Sequence, residues 1–264
     1  MKKIMKRTLS TVTFFTFISV ITAVAENREN LQSDPQQDKW ASLVNETPYQ
    51  TVVQGNTLIY GSHTYTVEGH IEDPGPTGYR GEPTAFVSFT HIPSGYTEFE
   101  AVYNGLLGKS IQGTAAMIPM AIEIFARNNE TGEKCFQLIC NSQTTVSSIL
   151  RILKTKLKPS PYAAANDSYL QRYMAAALLK GATATNAYTP VQPFTVEMVA
   201  SVNKPQAVTG GTDTFVYILA KGWDTQQRSV EVFQANGSDY FKVYNCPSTY
   251  TQCKNIVGEW QGLK

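Results

Sequence analysis

Between Gly113 and Arg127 the chain reads Gly-Thr-Ala-Ala-Met-Ile-Pro-Met-Ala-Ile-Glu-Ile-Phe-Ala-Arg, and almost every side chain from Ala115 to Ala126 is apolar. No polar stripe recurs at helical spacing. A helix that is apolar all round is buried all round, and this run is shorter than the roughly 20 residues that cross a bilayer. The pattern predicts a central core helix. Glu123 and Arg127 stand four apart, the spacing at which side chains of a helix pair. Pro119 is expected to kink the helix or to mark its real start.

On either side of this run the period changes. From Thr51 it is two: Thr57–Tyr60 and His63–Ile71 flank Gly61-Ser62, a two-residue hairpin signal. In the second run Tyr65, Val67 and Ile71 share one face; Thr66, Glu68, His70 and Glu72 share the other. Residues 73–83 are dense in turn formers, and Thr84–Ile92 returns to a strand pattern. Phe99, Val102, Tyr103 and Leu106 then predict an amphipathic helix ended by Gly108. After the core helix, which stops near Asn128-Asn129, short helices are expected over Glu133–Cys140 and about Thr144–Lys156. A further one, capped by Asp167 or Ser168, carries Tyr169, Tyr173 and Leu178 up to Gly181. Ala182–Pro193 reads as an extended connector.

The last third alternates again. Phe194–Val202, Thr212–Ala220, Ser229–Ala235 and Tyr240–Tyr244 are expected to form a four-stranded antiparallel meander, with Asn236-Gly237 closing its last hairpin. The fold class is therefore α+β: an N-terminal β-hairpin, a central helical layer around a buried helix, and the C-terminal meander. No composition shift marks a second domain, which leaves residues 51–264 as one domain behind a polar lead over 26–50.

The start of the chain adds a compartment. Lys2, Lys3, Lys6 and Arg7 precede the largely apolar Val12–Ile21, and Ala23-Val24-Ala25 fits a small-x-small cleavage site, so residues 1–25 read as a secretory signal peptide. The mature chain is expected to be periplasmic or extracellular, with no membrane span. Removing the four basic residues of the leader takes the net charge from +1 to −3, which offers no footprint for nucleic acid. The clustered Arg151, Lys154, Lys156 and Lys158 most simply favour the negative end of a helix dipole. Four cysteines fall in the mature part. In an oxidising compartment the expected bridge is Cys246 to Cys253, with Cys135 and Cys140 buried or joined to each other.

Three blocks, Gly113–Ala121, Lys180–Pro190 and Asp239–Tyr244, resemble a family of bacterial exported domains of unknown function. The resemblance covers roughly Gly113 to Tyr244. It implies a helical layer followed by a β-meander and brings no catalytic residues. This chain departs from the family pattern at Lys221-Gly-Trp-Asp224.

Candidate chemistry is sparse. There is no nucleophile elbow, P-loop, His-Glu-x-x-His or dinucleotide fingerprint, and no cofactor is implied. Among three histidines, His63 and His70 face opposite ways on one strand, His70 lies between Glu68 and Glu72, and His91 could pair with Cys135 or Cys140 as thiol and imidazole. Glu98, Glu100, Glu123 and Glu197 are the acids from which a glycosidase-like pair could be drawn; Glu123 stands out in its apolar setting. Aromatic residues on loops suggest a contact surface instead: Tyr79 and Arg80, Tyr162, Tyr188, and Trp223 and Asp224 with Arg228. The leading expectation is an exported binding or interaction module, with a protein or saccharide partner, acting through the Tyr79-Arg80 loop and the Trp223-Asp224 turn. A hydrolase of saccharide or cell-wall-like material using Glu123 and a second acid is the alternative, and a purely structural envelope protein the third.

Overall fold

The computed structural model describes residues 49–71, 82–157, 172–201, 205–223, 226–251 and 253–263. The leader, the polar lead to residue 48, the loop carrying Tyr79 and Arg80, and Tyr162 and Asp224 lie outside the described residues. What is described is an α+β arrangement of four α-helices and one sheet of nine antiparallel strands.

Four strands come first: β1 (Thr51–Gln54), β2 (Thr57–Tyr60), β3 (His63–Gly69) and β4 (Ala85–Phe89). Gly55 and Gly61 take left-handed φ values of 60° and 59° at the two turns, a conformation that costs glycine little. Helices α1 (Tyr96–Gly105), α2 (Ile111–Arg127), α3 (Asn129–Ile139) and α4 (Gln143–Leu157) follow. The chain then returns as β5 (Phe194–Ala200), β6 (Gln206–Val208), β7 (Gly211–Leu219), β8 (Gln227–Ala235) and β9 (Phe241–Asn245).

The sheet runs β1-β2-β3-β4-β5-β7-β8-β9, with β6 paired to β7 off this path. Its two halves are joined where β4 pairs β5, in a register that sets Val87 opposite Val196. The expected hairpin and meander are thus portions of one continuous sheet. Period-two patterning reports which face of a strand is buried but not which strand lies beside it, so the β4–β5 junction leaves no local mark in the sequence.

Helix α2 is the interior rod that its composition predicts. Every residue from Gln112 to Phe125 is buried, and Ser110 caps the start by accepting the Gly113 N–H at 3.1 Å. The helix runs through Pro119 and does not begin there. It packs on β4, β7, β8 and β9 on one side and on α3 on the other. A Cβ at Gly132 of α3 would lie 2.2 Å from the Phe125 Cα, so this approach of two helices requires glycine. Asn128 ends α2 and at once caps α3, accepting from the Thr131 N–H at 3.0 Å. That double use is why α3 starts at Asn129 rather than near Glu133.

Two further expectations change. Of the helix predicted through Leu178, residues 172–175 form turns and Ala176–Leu178 a single 3-10 turn. The connector after it holds a second 3-10 turn, Ala184–Asn186, closed by a reciprocal Thr183–Asn186 capping box. All four cysteines are buried and none is in a disulfide, so the expected Cys246–Cys253 bridge is not formed. The turn at Pro247–Thr249 separates them: Cys246 faces Cys140, whereas Cys253 faces Tyr188. Burial pushes the Cys246 and Cys253 thiols up to about 12, which keeps both protonated and unreactive at neutral pH. Among the described residues no helix is long and apolar enough to cross a membrane.

Candidate functional site

Two constellations collect the polar groups at the ends of these elements. The first surrounds Glu98, at the third position of α1 and 2 % exposed. His63 Nδ1 lies 2.7 Å from Oε1, and the Tyr65 hydroxyl donates to the same oxygen at 2.8 Å. Oε2 accepts from the Ser94 backbone N–H at 2.8 Å and from its hydroxyl at 2.9 Å. Burial raises the cost of charge on this carboxylate, but the bonds from Ser94, His63 and Tyr65 outweigh it and hold Glu98 below its ordinary range. An ionised carboxylate only accepts, so His63 presents Nδ1–H to it.

His91 stacks on His63, ring centroids 4.2 Å apart and planes 25° from parallel. Burial, followed by the neighbouring His63, lowers the His91 pKa. Lone pairs of imidazole lie in the ring plane, so two rings stacked this way do not converge on one ion. Among the described residues no group of three or more His, Cys, Asp or Glu side chains could hold a metal. The cluster ties β3, the chain after β4 and α1 together. His91 therefore meets His63 and not, as the sequence suggested, a cysteine thiol.

The second constellation is a pocket of about 360 Å³ at the C-terminal end of α2, lined by Glu123, Ala126, Arg127, Asn129, Leu157, Arg172 and Trp260. Arg127 donates through Nε to Glu123 Oε1 at 3.0 Å. Burial pushes the Glu123 pKa up, and the Arg127 charge opposes it without cancelling it. Asn129 spends its amide N–H on the Phe125 carbonyl at 2.8 Å, turning the α2 terminus into the pocket wall. Trp260 stands against Tyr173 edge to face at 6.4 Å, and Tyr173 in turn stacks on Tyr188 at 4.6 Å. A shallower depression of about 400 Å³ is lined by Ser142, Thr144, Thr145, Ser148, Tyr244, Asn245 and Tyr250.

The sequence-derived contact residues that are described do not form a surface. Trp223 is 1 % exposed, gives its indole N–H to the Ala177 carbonyl at 3.2 Å and lies under Arg228 at 4.6 Å. Arg228 is buried and bonds the Ser248 carbonyl. Tyr188 is fully buried, its hydroxyl shared between the carbonyls of Gly222 (2.9 Å) and Lys254 (2.7 Å). These three side chains lock the turn at residues 220–223 onto the 176–178 turn. The carboxylates are likewise dispersed: Glu98 in its cluster, Glu100 bonded to Tyr96, Glu197 to Lys180, and Glu123 to Arg127. Among the described residues that line the Glu123 pocket, Glu123 is the acid, and it is paired with Arg127. His70 is exposed beside exposed Glu68.

Sequence reasoning did not find Trp260, Arg172 and Asn129 as pocket residues, nor the meeting of His63, His91 and Glu98. The one available signal was Glu123, an acid in an apolar run, which does mark the pocket.

The family described as Domain of unknown function (DUF6935) matches residues 91–257, and the chain belongs to it. Glu98, Glu123, Arg127 and Arg172 fall within the matched region; His63, Tyr65 and Trp260 fall outside it. No curated protein and no solved structure matches the chain.

Proposed function

We propose that this family member is an exported binding module, a single domain over residues 51–264 that takes a small ligand in the pocket at the end of α2. The observation that carries the reading is the pocket itself, whose lining combines the polar Glu123, Arg127, Arg172 and Asn129 with the apolar Trp260, Leu157 and Ala126. A concave site with a few convergent polar groups on apolar walls is the usual form of a small-molecule site. Among the described lining residues the acid, Glu123, is already ion-paired with Arg127, which supports a role in shaping the pocket. The signal peptide read in residues 1–25 supports export, and with it a mature chain starting at Glu26.

A saccharide partner fits the shallower depression, where hydroxyl and amide side chains surround Tyr244, which is 45 % exposed. Sugars are held by such hydrogen-bonding groups beside an aromatic face. The experiment for the main reading is a ligand-observed NMR screen of a diverse fragment set against the secreted protein, repeated with Trp260→Ala. The expected result is a group of fragments whose binding is lost in the variant. A screen without fragments that respond to Trp260→Ala contradicts the reading.

A further inference from the structure

We infer that the ligand of the α2-end pocket is a small aromatic carboxylate, held by its acid group on Arg127 and Arg172 and by its ring on Trp260. This rests on the proposed binding function and names the class of molecule the same site takes.

A guanidinium carries five N–H donors in a rigid plane. The described ion pair to Glu123 engages Nε alone. The outer edge, with its two terminal amino groups, remains as a fork whose spacing matches the two oxygens of a carboxylate. Arg127 is part-exposed, so this fork reaches solvent within the pocket.

Charge points the same way. Among the described residues that line it, the pocket holds two guanidinium groups and one carboxylate, a positive balance that Glu123 does not neutralise. Arg172 is exposed, so it can swing toward an incoming anion. A cationic ligand would have to face both guanidinium groups, with Glu123, the one acid among the described lining residues, already held by Arg127. A neutral acceptor would meet the Arg127 fork without the charge assistance and bidentate match that a carboxylate brings.

The ring preference comes from Trp260. It is half-buried, and its edge-to-face contact with Tyr173 fixes its orientation. A fixed indole in a pocket that Ala126 and Leu157 also line offers an apolar face that rewards stacking by another ring. At about 360 Å³ the pocket is at the lower end of the sizes that small-molecule sites span, which suits one ring and one acid group.

The test is isothermal titration with matched acid and amide probes: benzoate against benzamide, 1-naphthoate against 1-naphthamide, and indole-3-acetate against its amide. At least one acid is expected to bind about tenfold or more tightly than its amide, the gain of a charge-assisted bidentate contact. Arg127→Gln and Arg172→Gln are expected to remove that preference while leaving the binding of the amide unchanged. Trp260→Ala is expected to weaken acid and amide alike. Acids and amides binding equally, or none of the acids binding, overturns the ligand class. In both cases the fragment screen decides separately whether the pocket binds anything, so failure of the class and failure of the binding reading are told apart.

Discussion

Arg127 reaches Glu123 through its Nε, 3.0 Å from Oε1 and one helical turn away. The pair closes the buried end of α2 and leaves the outer edge of the guanidinium for another acceptor. Because Glu123 is buried and its pKa is raised by that burial, its charge works against the fold.

Glu123→Gln keeps the size of the side chain and removes the charge. A raised folded pKa means that the folded state holds the proton more tightly, so the contribution is present at low pH and lost as pH rises from the ordinary value of 4.5 through the folded value. Because Arg127, the partner left behind, is part-exposed, urea unfolding at pH 7 is expected to show a change of less than about 1 kcal/mol. Between pH 4.5 and 7 the variant is expected to lose less stability than the parent.

The Glu98 cluster carries the opposite sign. Glu98 sits below its ordinary value of 4.5 because of its bonds from Ser94, His63 and Tyr65. Its contribution is therefore present above that value and lost as pH falls below it. His91, lowered from 6.5 by burial and His63, adds a loss that begins as pH falls below 6.5. Glu98→Gln is expected to cost about 3 kcal/mol at pH 7, since Tyr65 and His63 lose a charged acceptor. His91→Phe is expected to flatten the decline between pH 6.5 and 5. Chemical denaturation across pH 4–8 reads both.

Much of this fold follows from patterning. The α2 run is apolar at nearly every position and is buried at nearly every position; Phe99, Val102 and Tyr103 fall on the inner face of α1 as their spacing requires. What patterning does not carry is the pairing of distant segments. Ala85–Phe89 and Phe194–Ala200 are ordinary strand sequences, and only the three-dimensional structure sets them side by side. The same holds for the site. Glu123 was visible as an acid out of place, but Trp260 and Arg172 reach it from parts of the chain that no spacing rule connects. Trp223 shows the converse: an aromatic ring in a tight turn suggested a contact surface, yet the turn folds inward onto Ala177.

Trp223→Ala is accordingly expected to act on stability. Removing a ring that is 1 % exposed leaves a large cavity and frees the Ala177 carbonyl, at a cost of about 3–5 kcal/mol. Thermal unfolding measures it. A variant with unchanged melting temperature would return Trp223 to the role of an exposed contact.

Asp213 on β7 is 7 % exposed, and its Oδ1 has no hydrogen-bond partner among the described residues. Burial raises its pKa, and its charge in turn helps to raise that of Glu231. The sign matches Glu123: stability is lost as pH rises through the folded value. Asp213→Asn is expected to stabilise the protein by about 1 kcal/mol at pH 7 and to have little effect near pH 3, as urea titrations at the two pH values will show.

The most direct measurement of the central claim, that the end of α2 is a site for carboxylate-bearing ligands, is the NMR signal of the Trp260 indole N–H, assigned with Trp260→Phe. The account predicts that indole-3-acetate or benzoate shifts this resonance in a saturable way, and that the shift is abolished when Arg127 and Arg172 are both glutamine. A resonance that stays in place at saturating acid, or that moves equally with the amides, would contradict it.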